Sequence, residues 1–132
     1  MLRPEPAVQP EARSWHTTRN TVFVFGSNLA GRHGAGSALE AIRNWGAVYG
    51  RAVGRQGMSY AIPTKDELLE PLPLVRVAHY VQQFLTYAAE NPHLAFTVVK
   101  IGCGLAGFRE DEISPLFNGA TSNVLLPEGW GL

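Results

Sequence analysis

Two glycine-rich segments, each directly after a short apolar run, constrain most strongly how this chain can fold. The first is TVFVFGSNLAGRHGAGSALEA over residues 21–41, and the second is FTVVKIGCGLAGFREDE over residues 96–112. In each segment a β-branched and aromatic run ends in glycines, and a stretch compatible with a helix follows. Glycine has no Cβ and lets the backbone approach a ligand closely, while a helix start presents free N–H groups that suit phosphate. The pattern predicts two strand–loop–helix units whose loops could together hold a diphosphate.

Length and charge limit the class of protein. The chain has 132 residues, the size of one ordinary domain, and 45% of them are hydrophobic. Its 11 basic and 11 acidic residues give a formal net charge of zero, which argues against a dominant nucleic-acid-binding face but leaves room for a local basic patch. Cys103 is the only cysteine, so no internal disulfide and no multi-cysteine zinc site can form. No apolar run approaches about 20 residues and no secretory pattern opens the chain, so we expect a soluble cytoplasmic protein with no membrane partner. We also expect no metal and no cofactor.

Hydrophobic periodicity and the residues that end helices and strands divide the chain into predicted secondary-structure elements. Residues 1–20 are rich in Pro, Arg and Glu without a period and are predicted to be an irregular leader, followed by a single domain over residues 21–132. Strands are predicted at 21–26, 58–62, 95–101 and 122–126. Helices are predicted from a Ser37–Glu40 capping box to about residue 46, over about 73–90, and from near Arg109 to about Phe117. The order βαβαβαβ predicts an α/β layer fold with a largely parallel sheet.

Both glycine loops leave the carboxyl ends of predicted strands, where open α/β sheets bind ligands. We expect backbone N–H groups of Gly34, Ala35 and Gly36 to contact phosphate from one side, and those of Gly104 through Gly107 from the other. Phe108 is expected at the rim, where its ring could pack on a sugar or base. The first loop is neither a G-x-G-x-x-G fingerprint nor a P-loop, because its glycine order differs and no Gly-Lys-Ser/Thr follows. The alternative is that these glycines serve only turns and helix starts.

At these residues the chain resembles the macrodomain family, whose members bind ADP-ribose. FGSN, LAGRH, GAG and SALEAI follow one another as in the family's first loop, and KIGCGLAGF is similar to its second. Between them, YAIPTKDE resembles the strand and lysine segment of a branch that contains DNA ADP-ribosyl glycohydrolase antitoxins and deacylases for glutamate-linked ADP-ribose. The resemblance covers roughly residues 21–126. It implies a compact three-layer fold with a mostly parallel central sheet flanked by helices.

The resemblance also implies roles for individual residues. Lys65 matches the catalytic lysine of the branch, and Asn28 matches the asparagine that contacts and orients the distal ribose during catalysis. Gly34, Ala35 and Gly36 match the loop along the diphosphate and distal ribose. The second phosphate loop is matched by Gly102, Cys103, Gly104, Leu105, Ala106, Gly107 and Phe108, with Phe108 beside the distal ribose.

Two departures from the family pattern bear on function. Many macrodomains hold adenine with an aspartate near the amino terminus, whereas this chain has only the irregular leader there. The glutamate-deacylating members carry an aspartate in the second loop where this chain has Ala106, so these motifs do not assemble a lysine–aspartate pair. The DNA-directed members do without that aspartate, and its loss therefore leaves hydrolysis open.

Several side chains have both a chemical and a structural interpretation. Lys65 could attack the anomeric carbon if burial leaves its amine neutral, or act as a fixed charge beside phosphate; alternatively it is a solvated loop lysine beside Asp66 and Glu67. Asp66 is either a general base or an exposed, solvated carboxylate. Cys103 could be a thiolate near a helix start but is expected to be a small packing residue. His33 could donate to a phosphate or ribose but is expected to be an exposed loop histidine.

Two functions from different classes fit these residues. The first is an enzyme that hydrolyses ADP-ribose from DNA or protein, with Lys65 as nucleophile or electrostatic catalyst. The second is a binding module that senses or sequesters ADP-ribose or a related NAD-derived nucleotide without turnover, which Ala106 favours. A weaker third hypothesis is a nucleotide-binding accessory protein unrelated to ADP-ribose.

Overall fold

The structure is a computed structural model that describes residues 20–130 of the chain. The predicted leader lies outside the described residues except for Asn20. Along the chain the elements are β1 (Thr21–Asn28), α1 (Gly36–Asn44), β2 (Gly54–Gln56), β3 (Ser59–Lys65), α2 (Leu74–Ala89), β4 (Ala95–Val98), α3 (Glu110–Ile113), a 3-10 helix (Ser114–Phe117) and β5 (Val124–Leu125).

The strands form one sheet in the order β2-β3-β1-β4-β5. Strands β3, β1, β4 and β5 are parallel, and only β2 runs antiparallel, against β3. The predicted mostly parallel sheet is therefore confirmed. Strand β1 lies at its centre because its side chains are apolar on both faces, which suits a strand covered by helices on each side.

Helices cover both faces of the sheet and produce three layers. On one face α2 packs its buried residues against Val22, Val24 and Ile62, and the short helices add Ile113 and Phe117. We call this the larger core. On the other face α1 packs Ala38 and Ala41 against Phe25 and Ala61, the smaller core. The three-layer α/β fold expected from the sequence is thus confirmed.

Strand β2 was not predicted, because GRQ has no apolar run and is surrounded by glycines. It forms a tight hairpin with β3, in which Gly57 adopts a φ of +60°. A Cβ at Gly57 would lie 2.6 Å from the Gly46 carbonyl oxygen, so only glycine allows the segment after α1 to approach the hairpin this closely.

The predicted capping box at Ser37 and Glu40 is wrong. Helix α1 begins at Gly36, one residue earlier, and Ala35 occupies the N-cap position without a side-chain hydrogen bond. The physical reason is Gly36 itself, whose φ of +57° turns the chain into the helix before Ser37 is reached. As a result the amino end of α1 has no side-chain cap, which matters for the site below.

The remaining boundaries differ by a few residues from those predicted. Strand β4 ends at Val98, and β5 is confined to Val124–Leu125. The helix predicted from near Arg109 consists of α3 followed by the 3-10 helix, with Pro115 near the junction. Proline lacks an N–H donor and fits a helix start better than a helix interior. None of the helices within residues 20–130 is long and apolar enough to cross a membrane.

Candidate ligand-binding site

An open cavity of about 610 Å³ lies at the carboxyl ends of β1, β3 and β4. Parallel strands end at the same edge of a sheet, and this is why segments far apart in sequence meet here. The cavity brings together both glycine loops and the end of β3. Of the predicted site residues it is lined by Asn28, Gly34, Ala35, Gly36, Lys65, Gly102, Gly104, Leu105 and Ala106.

Three predicted site residues do not line this cavity, namely Cys103, Gly107 and Phe108. The ring of Phe108 packs against the larger core instead of standing at the rim. A Cβ at Gly102 would lie 3.1 Å from Phe108 Cδ2, so the glycine allows this ring to pack beneath the loop. The Cys103 thiol also contacts the larger core, and burial raises its pKa, with a further rise from the negative charge of Glu110. A thiol held in this protonated form is poorly suited to act as a nucleophile, which agrees with the packing role expected from the sequence.

Asn28 shapes the first loop. Its Nδ2 donates to the Arg32 carbonyl oxygen at 2.8 Å, and its Oδ1 accepts from the Arg32 backbone N–H at 3.0 Å. The side chain is 7% exposed and closes the turn that also joins the Gly31 N–H to the Asn28 carbonyl. An amide has two N–H donors and two acceptor lone pairs, so Asn28, which lines the cavity, retains one of each after these two bonds.

His33 is buried, and its predicted exposed position is wrong. Only 1% of the residue is exposed, because the loop folds back and packs the ring against the edge of Phe25 and beside Tyr49. Nδ1 lies 2.8 Å from the Gly31 carbonyl oxygen, and since a carbonyl only accepts, Nδ1 carries the proton. Nε2 has no partner among residues 20–130. His33 therefore supports the first loop by packing contacts and does not line the cavity.

Backbone N–H groups of the first loop are left free at the cavity. Since α1 has no side-chain cap, the N–H groups of residues 34–38 have no acceptor within residues 20–130, and all five residues line the cavity. A helix of nine residues adds the positive end of its dipole at the same place. A Cβ at Gly34 or Gly36 would meet no protein atom within 4 Å, so the space in front of this backbone is open.

The second loop is folded by three internal hydrogen bonds. The N–H groups of Cys103, Gly107 and Phe108 donate to carbonyls of Lys100, Gly104 and Gly102. The expectation that the Gly107 N–H contacts phosphate is therefore wrong, because that donor is already paired. The N–H groups of residues 104–106 have no acceptor in the described part of the chain, and all three residues line the cavity.

The cavity lining is positively charged although the formal net charge of the whole chain is zero. Arg32, Lys65 and Lys100 line the cavity, and no Asp or Glu among residues 20–130 does so. Lys100 is also paired with Glu110 at 3.2 Å. Eight free N–H groups, five from the end of the first loop and the start of α1 and three from the second loop, thus share a cavity with three cations. Such an arrangement favours an anionic ligand with more than one charged group.

Asp66 does not provide a free carboxylate in this cavity. Its Oδ1 accepts the backbone N–H groups of Leu68 and Glu70 at 2.8 and 2.9 Å and closes the turn after β3. The turn holds Leu69 at a φ of +64°, and Leu69 lines the cavity. Nor do the described residues contain a group of three or more His, Cys, Asp or Glu side chains that could hold a metal ion.

Sequence reasoning missed several residues that line the cavity, among them Tyr49, Arg32, Leu69 and Lys100. Arg32 and Lys100 lie within or beside the glycine loops, so their charges could have been noted as candidates. Tyr49 belongs to the segment after α1, and nothing local in the sequence links it to the loops. It reaches the cavity because the Gly50 N–H donates to the Gly31 carbonyl at 2.8 Å, which joins that segment to the first loop.

The fold is similar to solved structures of other proteins. It superposes on the macrodomain of Mycobacterium tuberculosis DarG over 81% of this chain and 88% of that one, with a TM-score of 0.59 and 17% identity. A protein of unknown function from Bacteroides thetaiotaomicron superposes over 85% and 87% of the two chains, with a TM-score of 0.56 and 16% identity. No protein-family profile matches the sequence, and no curated protein matches it significantly. The chain therefore has the macrodomain fold.

Proposed function

We propose that this protein binds ADP-ribose, either free or linked to a nucleic acid or protein, with the diphosphate between the two glycine loops. The observation that carries the proposal is the convergence of eight free backbone N–H groups on one cavity that three cations also line. A diphosphate has enough acceptor oxygens to accept hydrogen bonds from both loops at once. A single phosphate offers fewer oxygens and is expected to contact the two loops less completely. The macrodomain fold and the motif resemblance support the choice of ADP-ribose among diphosphate ligands.

Calorimetry with ADP-ribose, ADP and AMP tests this binding. ADP-ribose is expected to bind most tightly, ADP more weakly and AMP weakest, because each truncation removes a group from the cavity. AMP binding as tightly as ADP-ribose would show that neither the second phosphate nor the distal ribose contacts the loops. That result would refute the proposal.

We further propose that the protein hydrolyses the bond between ADP-ribose and its acceptor, with Lys65 in the central role. Lys65 ends β3, and its register partner on β1 is Asn28, so both face the same cavity. In the nucleophilic form, the Nζ lone pair forms a bond to the anomeric carbon as the bond to the acceptor breaks. The acceptor leaves with that electron pair and takes up a proton, and water then releases ADP-ribose. In the electrostatic form, the ammonium stabilises charge that develops as the same bond breaks.

Release of ADP-ribose from modified DNA and from a glutamate-linked ADP-ribosyl protein tests this step. Lys65→Ala is expected to abolish release, whereas Arg43→Ala, which removes a cation on α1 outside the cavity lining, should retain most of it. Lys65→Arg separates the nucleophilic form from the electrostatic one, because arginine keeps the charge but stays protonated and cannot attack the anomeric carbon. Release is lost in this variant if Lys65 is a nucleophile and is retained in part if it acts by its charge. Release that survives Lys65→Ala would remove the catalytic role of this lysine.

A non-catalytic binding module is the second candidate function. It is favoured by the lack of a carboxylate in the described lining, since Ala106 occupies the loop position and Asp66 is engaged in its turn. The same assays decide between the two. Tight binding of ADP-ribose with no release from either substrate would establish the binding module.

A further inference from the structure

Tyr49 is an exposed aromatic residue at the cavity that no packing role explains. It lines the cavity, yet 62% of the residue is exposed. Its hydroxyl has no hydrogen-bond partner within residues 20–130. The ring contacts only His33 among the aromatic rings of the described chain, at a centroid distance of 6.1 Å and a tilt of 47°. A large ring in this position stabilises the free protein little, because most of its surface stays in water.

The segment that carries Tyr49 is nevertheless held firmly by buried polar side chains. Gln56, which is 2% exposed, accepts the Val48 N–H at 2.8 Å and donates to the Arg51 carbonyl at 3.1 Å. Ser27 Oγ, on β1, donates to the Ala52 carbonyl at 2.6 Å. The backbone on both sides of Tyr49 is therefore fixed to the sheet.

Contact with the first loop fixes the segment further. The Gly50 N–H donates to the Gly31 carbonyl, and a Cβ at Gly31 would lie 2.6 Å from the Gly50 carbonyl group. Gly31 has a φ of +73°, which together with this close approach requires glycine. Tyr49 thus lines the same cavity as the free N–H groups of residues 34–38, on a backbone segment that is fixed to the first loop.

We propose that Tyr49 binds a planar heteroaromatic base of the ligand by stacking, and this inference rests on the proposed binding of ADP-ribose. An exposed aromatic ring on a fixed backbone at a cationic cavity is an arrangement by which proteins hold a base while the same ligand's phosphates are bound nearby. Arg32 lines the same cavity and adds a positive charge to it. The base has two sources with the same chemistry: the adenine of ADP-ribose, or the nucleobase to which ADP-ribose is attached.

The test uses Tyr49→Leu, Tyr49→Phe and the control Tyr80→Leu, which makes the same exchange on α2 away from the cavity. Each variant is titrated calorimetrically with free ADP-ribose and, in a Lys65→Ala background, with an ADP-ribosylated single-stranded oligonucleotide. Tyr49→Leu is expected to weaken binding roughly 5- to 150-fold, the range of base–aromatic stacking. Tyr49→Phe should bind nearly as the wild type does, because the ring is kept.

The two ligands separate the two sources of the base. Loss of affinity for free ADP-ribose identifies adenine as the stacked base. Loss for the oligonucleotide alone identifies the acceptor base. Unchanged affinity of folded Tyr49→Leu for both ligands overturns the inference while leaving ADP-ribose binding intact. Failure of the wild-type protein to bind either ligand refutes the proposed function and the inference with it.

Discussion

Replacing Gly34 or Gly104 with alanine should weaken ADP-ribose binding without weakening the fold. These two glycines lie one on each loop, and both line the cavity. Neither adopts a positive φ, and a Cβ at either position would meet no protein atom within 4 Å. The folded chain therefore accommodates both methyl groups. Alanine also restricts the unfolded chain, so we expect the free energy of unfolding to stay the same or rise by about 0.4–1 kcal/mol.

The effect on binding follows from the distance at which a phosphate must approach the backbone. A methyl group in front of the N–H groups prevents at least one hydrogen bond to a charged oxygen, which is worth about 1.5–3 kcal/mol. Each variant should therefore bind ADP-ribose roughly 10- to 150-fold more weakly than the wild type.

Calorimetry gives the affinities, and urea unfolding gives the stabilities of the same samples. Gly119→Ala is a control with the opposite expected result, because Gly119 lies outside the cavity lining and has a φ of +88° that disfavours alanine. It should lose stability and keep its affinity. Wild-type affinity in both Gly34→Ala and Gly104→Ala would refute the view that backbone N–H groups hold the ligand at close range.

Three further predictions concern the loops and their supports. Gly31→Ala should lower the free energy of unfolding in urea by about 2–5 kcal/mol, because of the positive φ and the 2.6 Å clash with Gly50. Gly50→Ala is the control, since its Cβ position is open. If Gly31→Ala lost no more stability than Gly50→Ala, the clash would be contradicted. The pKa of Cys103 is raised by burial and then by Glu110, so iodoacetamide should alkylate it at pH 8 more slowly than a free cysteine; equal or faster alkylation would disprove this. The pKa of Glu110 is lowered by its hydrogen bond from Trp130 and then by Lys100, so the stabilisation from this carboxylate is present above its ordinary pKa of 4.5 and lost as the pH falls below it. Tryptophan fluorescence should follow that loss, and Glu110→Gln should remove the transition; an identical titration in the variant would exclude this pair as its cause.

Apolar periodicity predicted the parts of the fold that depend on burial. The run TVFVF indicated a strand covered on both faces, and β1 places Val22 and Val24 in the larger core and Phe25 in the smaller one. The helical spacing of Val77, Val81 and the residues that follow predicted α2 within one residue at each end. Burial of large apolar side chains dominates the stability of such elements, and it leaves a regular pattern in the sequence.

Features that depend on glycine conformation or on distant contacts could not be predicted in the same way. The start of α1 depends on the positive φ of Gly36 and not on the side chain of Ser37. His33 is buried because its loop folds back against Phe25. Tyr49 reaches the cavity only through the contact between Gly50 and Gly31. No local pattern in the sequence encodes these contacts.

For the candidate site, the positions of the backbone loops could be predicted from the sequence, but the directions of some side chains could not. Loops that leave parallel strands must meet at one sheet edge, so the positions of residues 34–36 and 104–106 followed from topology. Whether the Phe108 ring stands at the rim or packs on the core depends on contacts beneath the loop, and it is partly buried against the larger core.

A titration of the 15N-labelled protein with ADP-ribose, followed by amide correlation spectra, tests the central claim most directly. The backbone N–H signals of residues 34–38 and 104–106 should shift together and reach saturation at the same ligand concentration, because one diphosphate engages both loops. Shifts confined to one loop, or centred away from the cavity, would contradict the account.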